Sequence, residues 1–181
     1  MVKSAYSFAS KKEKIENHII VVWVDNEAGV LARVIGLFSG RGYNIDSLTV
    51  AEVDKKKNLS RITITTSGTP HVIEQIKLQL GKLIPVHQVA DFPPNKKTLI
   101  REMALLKVVS SKSQLEKAKK LCQKYKCTIL DKTEKSFVFE VSALKVEIDT
   151  LIKKLVPLGL ASTSRTGIVA MTKGFEIYKQ H

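Results

Sequence analysis

The residues whose types and spacing come nearest to chemistry are Asp25-Asn26-Glu27-Ala28-Gly29-Val30-Leu31. Two carboxylates, an amide and a glycine stand directly before a run in which Val30, Val34, Leu37 and Phe38 recur at helical spacing. A helix starting here leaves its first N–H groups without partners and carries a partial positive charge, a setting that suits a carboxylate. Asn26 supplies an amide that can donate to an anion or accept from an ammonium. Gly29 lets backbone approach a ligand with no Cβ in the way. A free amino acid carries both charges and is the first ligand these residues point to. The competing reading is structural: Asn26 and Gly29 shape a turn and cap a helix, as at many strand–turn–helix junctions.

Nothing else in the chain makes a case for catalysis. Asp25 and Glu27 resemble an acid/base couple, but carboxylates beside a helix N-terminus are more often partners of the helix dipole. There is no G-x-S-x-G elbow, P-loop or G-x-G-x-x-G, and Gly36, Gly40 and Gly42 fall on and after a helix rather than before one. His18, His71, His87 and His181 are scattered, and Cys122 and Cys127 lack metal-ligand spacing and read as buried thiols. No catalytic residue, metal site or bound cofactor is expected. The chain reads as a small-ligand module joined to a protein-contact module.

The elements that position the turn follow from periodicity. Residues 17–24 form a β-branched, apolar strand, followed by a helix at 28–39, ended by Gly40-Arg41-Gly42, and a strand at 45–53. A charged hairpin at 54–58 leads to a strand at 59–66 that alternates with period two, as in a sheet with one wet face. Thr69 is a candidate N-cap with Pro70 at the first helical position; Val72, Ile73, Ile76, Leu80 and Leu83 line that helix, and a strand follows at 86–90. The order βαββαβ predicts two helices on one face of a four-stranded antiparallel sheet, a ferredoxin-like unit whose open edges can pair with a second copy.

After Phe92-Pro93-Pro94 the pattern repeats: strand 99–109, helix 113–125, strands 127–130 and 136–141, helix 143–155 and strand 160–170. The fold class is therefore α+β, with two ferredoxin-like βαββαβ units. The expected boundaries are a tail at 1–16, a first unit at 17–92, a linker at 93–98, a second unit at 99–174 and a tail at 175–181. The second unit has no glycine turn like that at Gly29, and its charged helix and its stretch 164–171 read as surface for a partner rather than a catalytic site.

The charge balance is uneven. Residues 1–92 carry 12 Lys and Arg against 9 Asp and Glu, whereas 93–181 carry 18 against 8, within a net charge of +13. Nucleic acid or an acidic protein surface could answer that excess. The lysines are dispersed, with no aromatic platform and no arginine strip, which argues against nucleic acid. No apolar run approaches the roughly 18 residues needed to span a bilayer, and Met1–Lys14 lacks the apolar core of a secretory signal. The expected setting is the cytoplasm, or a plastid in a eukaryote.

The run from Asn26 to Val50, with Leu59-Ser60-Arg61-Ile62-Thr63-Ile64, Arg101-Glu102-Met103-Ala104-Leu105-Leu106-Lys107-Val108 and Arg165-Thr166-Gly167-Ile168-Val169-Ala170, resembles the small, regulatory subunits of acetohydroxyacid (acetolactate) synthase. The likeness extends from about residue 17 to 174. Departures are Asp25, where the family more often has Glu, three lysines in the 54–58 loop, and residues 110–154, which match only in pattern.

The resemblance implies an N-terminal ACT domain that dimerises side by side, with a C-terminal ferredoxin-like domain. It also implies a larger catalytic subunit that uses thiamine diphosphate, Mg²⁺ and FAD, which this chain activates and places under feedback by a branched-chain amino acid, typically valine. Carried over by position, Asn26, Gly29, Val30 and Leu31 match the turn that holds the effector's carboxylate, and Asn44 and Ile45 match residues contributed across the dimer interface. The alternative is a free-standing ACT-type amino-acid sensor acting on another enzyme or on nucleic acid.

Overall fold

The computed structural model describes residues 14–93 and 97–175. The tails expected at 1–16 and 175–181 lie, apart from 14–16 and 175, outside the described residues, as do 94–96 of the linker. The first unit runs β1 (Glu16–Asp25), α1 (Val30–Ser39), β2 (Ser47–Asp54), β3 (Leu59–Gly68), α2 (Pro70–Leu80) and β4 (Val86–Asp91). The second runs β5 (Thr98–Val109), α3 (Lys112–Lys124), β6 (Thr128–Lys132), β7 (Ser136–Ala143), α4 (Lys145–Leu155), a short 3₁₀ turn and β8 (Leu160–Thr172). The sheets are antiparallel in the orders β2-β3-β1-β4 and β6-β7-β5-β8, the same topology twice. Among the described residues no helix is long and apolar enough to cross a membrane.

Each unit has its own core between sheet and helices. In the first, Ile20, Val22 and Val24 of β1 meet Val34 and Phe38 of α1 and Ile73, Ile76 and Leu80 of α2. In the second, Ala104, Leu106 and Val108 of β5 meet Leu115 and Ala118 of α3 and Ile148, Leu151 and Leu155 of α4. The Thr69 hydroxyl accepts from Val72 N–H at 3.4 Å, with Pro70 opening α2 as its fixed φ favours. Helix α1 begins at Val30, two residues later than periodicity placed it, because Gly29 at φ 84° lies in the left-handed region and cannot belong to the helix.

The wet face expected from the alternation in β3 is dry. Thr63 is 3% exposed and Thr65 7%. The other face of β1, with Ile19, Val21 and Trp23, joins Leu59, Ala90 and Phe92 in a third cluster against Ala170, with Ile100 and Ile168 beside it. Period two in β3 is real, but β1 and β3 are covered on both faces: one by the helices, the other by the second unit. Fully burying each Ile or Val there contributes about 1.5–3 kcal/mol. Phe92, assigned to the chain break, is a core residue whose N–H donates to the Ile19 carbonyl at 2.8 Å.

The stretch 164–171, expected to face a partner, is in part spent on this internal contact. The Thr49 hydroxyl donates to the Thr166 carbonyl at 2.9 Å, and the Arg61 guanidinium donates to the Ala170 carbonyl. Arg61 lies over the Trp23 ring (5.3 Å) and the Phe92 ring (5.7 Å), and its burial lowers its pKa. A bulge in β8 sets Gly167 at φ 82°, where an added Cβ would meet Thr49 Oγ1 at 3.0 Å and Ser47 Cβ at 3.3 Å. Gly167→Ala should therefore combine left-handed strain with crowding at the junction. The expected loss is roughly 1–3 kcal/mol, read as a lower denaturant midpoint; an unchanged midpoint would mean that the junction yields freely.

Candidate functional site

The first sheet delivers β1 to a turn that the rest of the unit holds in place. Asp25 N–H donates to the Pro85 carbonyl at 2.9 Å, and its carboxylate meets His87 Nε2 at 2.6 Å. Asn26 N–H donates to the Asn58 carbonyl at 2.7 Å, while Asn58 Nδ2 donates back to the Asn26 carbonyl at 3.2 Å. The β2–β3 hairpin is thus stapled to the turn through backbone groups, and the exposed Asn26 side-chain amide makes no hydrogen bond among the described residues.

Gly29 then sends the chain into α1. A Cβ on it would meet nothing within 4 Å, so the positive φ, not crowding, demands glycine, and the space above the turn is open. No side chain caps α1 and no acid lies in its first turn. Arg33 N–H is the first to find a helical carbonyl, that of Gly29 at 3.1 Å, and the N–H groups of Leu31 and Ala32 have no acceptor among the described residues. Glu27, expected as a partner of the helix dipole, is instead paired with Arg33 at 2.9 Å. The start of a ten-residue helix is left with free donors and partial positive charge, with an unengaged amide alongside. That arrangement can hold a carboxylate and orient an ammonium.

Four of the expected site residues come together here. Asn26 and Gly29 are exposed at the turn, while Val30 is buried and Leu31 half-buried against the first core, so Val30 offers a ligand its backbone rather than its side chain. Asn44 and Ile45 are not brought to the same place within one chain. They follow the far end of α1, about 15 Å of helix away. The register agrees: Asp25 pairs with Leu59 at one end of the sheet, whereas Thr66, whose hydroxyl donates to the Asn44 carbonyl at 2.6 Å, pairs with His18 near the other. The Asn44 amide donates to Asp46 at 2.7 Å, and Ile45 packs half-buried on the first core. Both sets can meet one ligand only if two chains contribute.

A surface for such pairing is present. β2 is an edge strand whose Val50 and Val53 are 41% and 49% exposed. Asn58, His87 and Arg33 surround the turn without having been singled out in the sequence. Asn58 sits in the left-handed region at φ 51°, a turn signal, but its partnership with Asn26 depends on the β1–β3 register.

Among the described residues no group of three His, Cys, Asp or Glu is placed to hold a metal ion. Cys122 is buried on α3; its hydrogen bond with half-buried Cys127, together with burial, pushes its pKa far above the usual thiol range, as fits a structural pair. The second unit repeats the hairpin staple, with Ser110 N–H donating to the Lys135 carbonyl at 3.1 Å, but the residue before α3 is Ser111 in extended conformation rather than a left-handed glycine.

A family model described as "AHAS small subunit-like ACT domain" matches residues 20–88, and one described as "Small subunit of acetolactate synthase" matches residues 101–174. The chain is 35% identical over 171 residues to the acetolactate synthase small subunit of Aquifex aeolicus, covering 94% of this chain and 88% of that one. It is 36% identical over 162 residues to the acetolactate synthase isozyme 3 small subunit of Salmonella typhimurium, covering 89% and 98%. The crystal structure of the acetolactate synthase small subunit from Thermotoga maritima aligns with a TM-score of 0.81 at 32% identity, over 88% of this chain and 98% of that one.

Proposed function

The chain belongs to the acetolactate synthase small-subunit family, and from that premise we propose that it activates the catalytic subunit and confers feedback inhibition by a branched-chain amino acid, valine first. It is a non-catalytic, regulatory subunit. Thiamine diphosphate, Mg²⁺ and FAD belong in this reading to the catalytic partner, and this chain binds none of them. The bacterial and archaeal relatives support a cytoplasmic setting.

One observation carries the effector site: the uncapped start of α1, with free N–H groups behind a left-handed Gly29 and an unengaged amide at Asn26. The effector's carboxylate takes the helix N-terminus, and its ammonium takes amide oxygen. Two copies pair along β2, so that Asn44 and Ile45 of one chain complete the turn of the other. Effector binding then depends on dimer geometry, and the dimer geometry that binds effector best is the one it favours. Residues 17–92 in this reading bind effector and dimerise, and residues 99–174 meet the catalytic subunit.

Reconstitution tests the proposal. Adding the chain to the catalytic subunit from the same organism should raise acetolactate formation from pyruvate severalfold, and valine should return the rate toward that of the catalytic subunit alone. A rate that the chain leaves unchanged, with its cofactors saturating, would sink the reading.

A further inference from the structure

We propose that the outward face of α3, continued by the end of α4, is the surface on which an acidic face of the catalytic subunit docks. The inference rests on the regulatory-subunit reading and deepens it by naming the contact surface and its chemistry. Lys117, Lys120 and Lys124 are exposed at i, i+3 and i+7, one stripe along α3. Exposed Lys126 follows the helix, and exposed Lys153 and Lys154 extend the surface from α4, where Lys154 reaches Tyr125 Oη at 3.3 Å and joins the two helices.

None of these six lysines pairs with a carboxylate among the described residues. The acids on the same helices are otherwise engaged. Glu147 caps the start of α4 by accepting from Leu144 N–H at 2.9 Å, and Asp149 is held by Arg165 at 2.6 Å, which leaves Glu116. The helical face of the first unit is different in kind. There Arg33 pairs with Glu27 and Lys77 with Glu74. Like charges at helical spacing repel one another, and an opposing acidic surface would relieve that repulsion as it binds.

The chemistry of the face selects a protein over a nucleic acid. It carries no arginine, so it lacks the planar fork that grips phosphate from two sides. Its one aromatic ring, Tyr125, is already covered by Lys154 at 5.7 Å and offers no stacking platform. Dispersed ammonium groups on flexible stems suit a partner surface studded with Asp and Glu, where they speed encounter and set orientation.

The experiment compares three full-length variants for binding to the catalytic subunit across a salt series. They are Lys117→Glu/Lys120→Glu/Lys124→Glu, the same three positions changed to Gln, and Lys55→Glu/Lys56→Glu/Lys57→Glu in the β2–β3 hairpin. The hairpin variant has the same net charge as the first. At low ionic strength the α3 Glu variant should bind at least tenfold more weakly than wild type, the Gln variant in between, and the hairpin variant within about twofold. The differences should shrink as salt screens the contact. Circular dichroism should be unchanged in all three. An α3 Glu variant that binds like wild type, or no worse than the hairpin variant, overturns the surface while leaving the regulatory reading intact. A wild type that neither binds nor activates the catalytic subunit at any salt overturns that reading and this inference with it. Duplex DNA retained by wild type at moderate salt and released by the α3 Glu variant also overturns it, by assigning the face to nucleic acid.

Discussion

Gly29→Asp should abolish the response to valine, shifting half-maximal inhibition by 100-fold or more, while leaving activation of the catalytic subunit within about twofold of wild type. The position tolerates the substitution sterically, since a Cβ there meets nothing within 4 Å. The backbone cost of a left-handed residue is about 1–2 kcal/mol, and Asp is among the residues that accept it best. The new carboxylate would stand before the uncapped first turn of α1, where it would act as an N-cap and satisfy the donors that the effector needs. Affinity is lost twice, through occupied N–H groups and through repulsion of a second carboxylate. Gly29→Ala separates the causes, because it adds the strain without the charge and should weaken inhibition far less. Full valine inhibition in Gly29→Asp would remove the carboxylate site from this turn.

The second large effect concerns stability. Arg165→Met should destabilise the chain by about 3–5 kcal/mol, because it strands a buried carboxylate. Glu102 is 4% exposed and receives two guanidinium bonds, Arg165 Nε at 2.7 Å and Nη2 at 2.6 Å. The third, from Nη1 to half-exposed Asp149, contributes little by comparison. For a chain of this length each kcal/mol moves Tm by roughly 2–4 °C. Arg165→Lys should recover only part of the loss, since an ammonium cannot reproduce the fork. Glu102→Leu combined with Arg165→Met should recover much of it, because the stranded charge leaves with its partner. A loss below 1 kcal/mol for Arg165→Met would show that water reaches Glu102. The hydrogen bond with Glu102, opposed by desolvation but aided by Asp149, raises the pKa of Arg165 above the ordinary arginine value. A raised folded-state pKa gives a contribution that is complete below the unfolded value and fades only as pH rises past it, so the contribution of Arg165's charge should not change with pH across the neutral range.

The local features of the fold were readable in the sequence because they depend on neighbours along the chain. The Thr69–Pro70 start of α2, the glycine turn before α1 and the repeated βαββαβ order all rest on spacings of a few residues. What stayed hidden depends on register and packing between distant segments. Glu102 and Arg165 are 63 residues apart, and their meeting requires the bulge between Arg165 and Ile168 in β8. Phe92 beside two prolines reads as a break until the second unit is seen to cover the first sheet. The alternation in β3 could not reveal that its polar face would be buried, because threonine suits a wet face and a hydrogen-bonded dry one equally; Thr65 meets the Ser47 hydroxyl at 2.7 Å. For the candidate site, the turn was legible in its residue types. The helix read at 28–39 already set Asn44 apart from Asn26, and it is that separation which calls for two chains; the partnership of Asn58 with Asn26, set by the β1–β3 register, was not legible.

The most direct measurement is calorimetric titration of valine into the purified chain, alone and with its catalytic subunit, for wild type, Asn26→Ala, Asn44→Ala and an equilibrated mixture of the two variants. If each site takes its turn from one chain and Asn44 from the other, wild type binds saturably and neither variant binds alone. The mixture regains binding, because a mixed dimer carries one site with both native residues. With random exchange half the dimers are mixed, so about a quarter of the wild-type sites should return. A mixture as silent as its components would place the site within a single chain. Normal binding by both variants would leave Asn26 and Gly29 as nothing more than the shape of a turn.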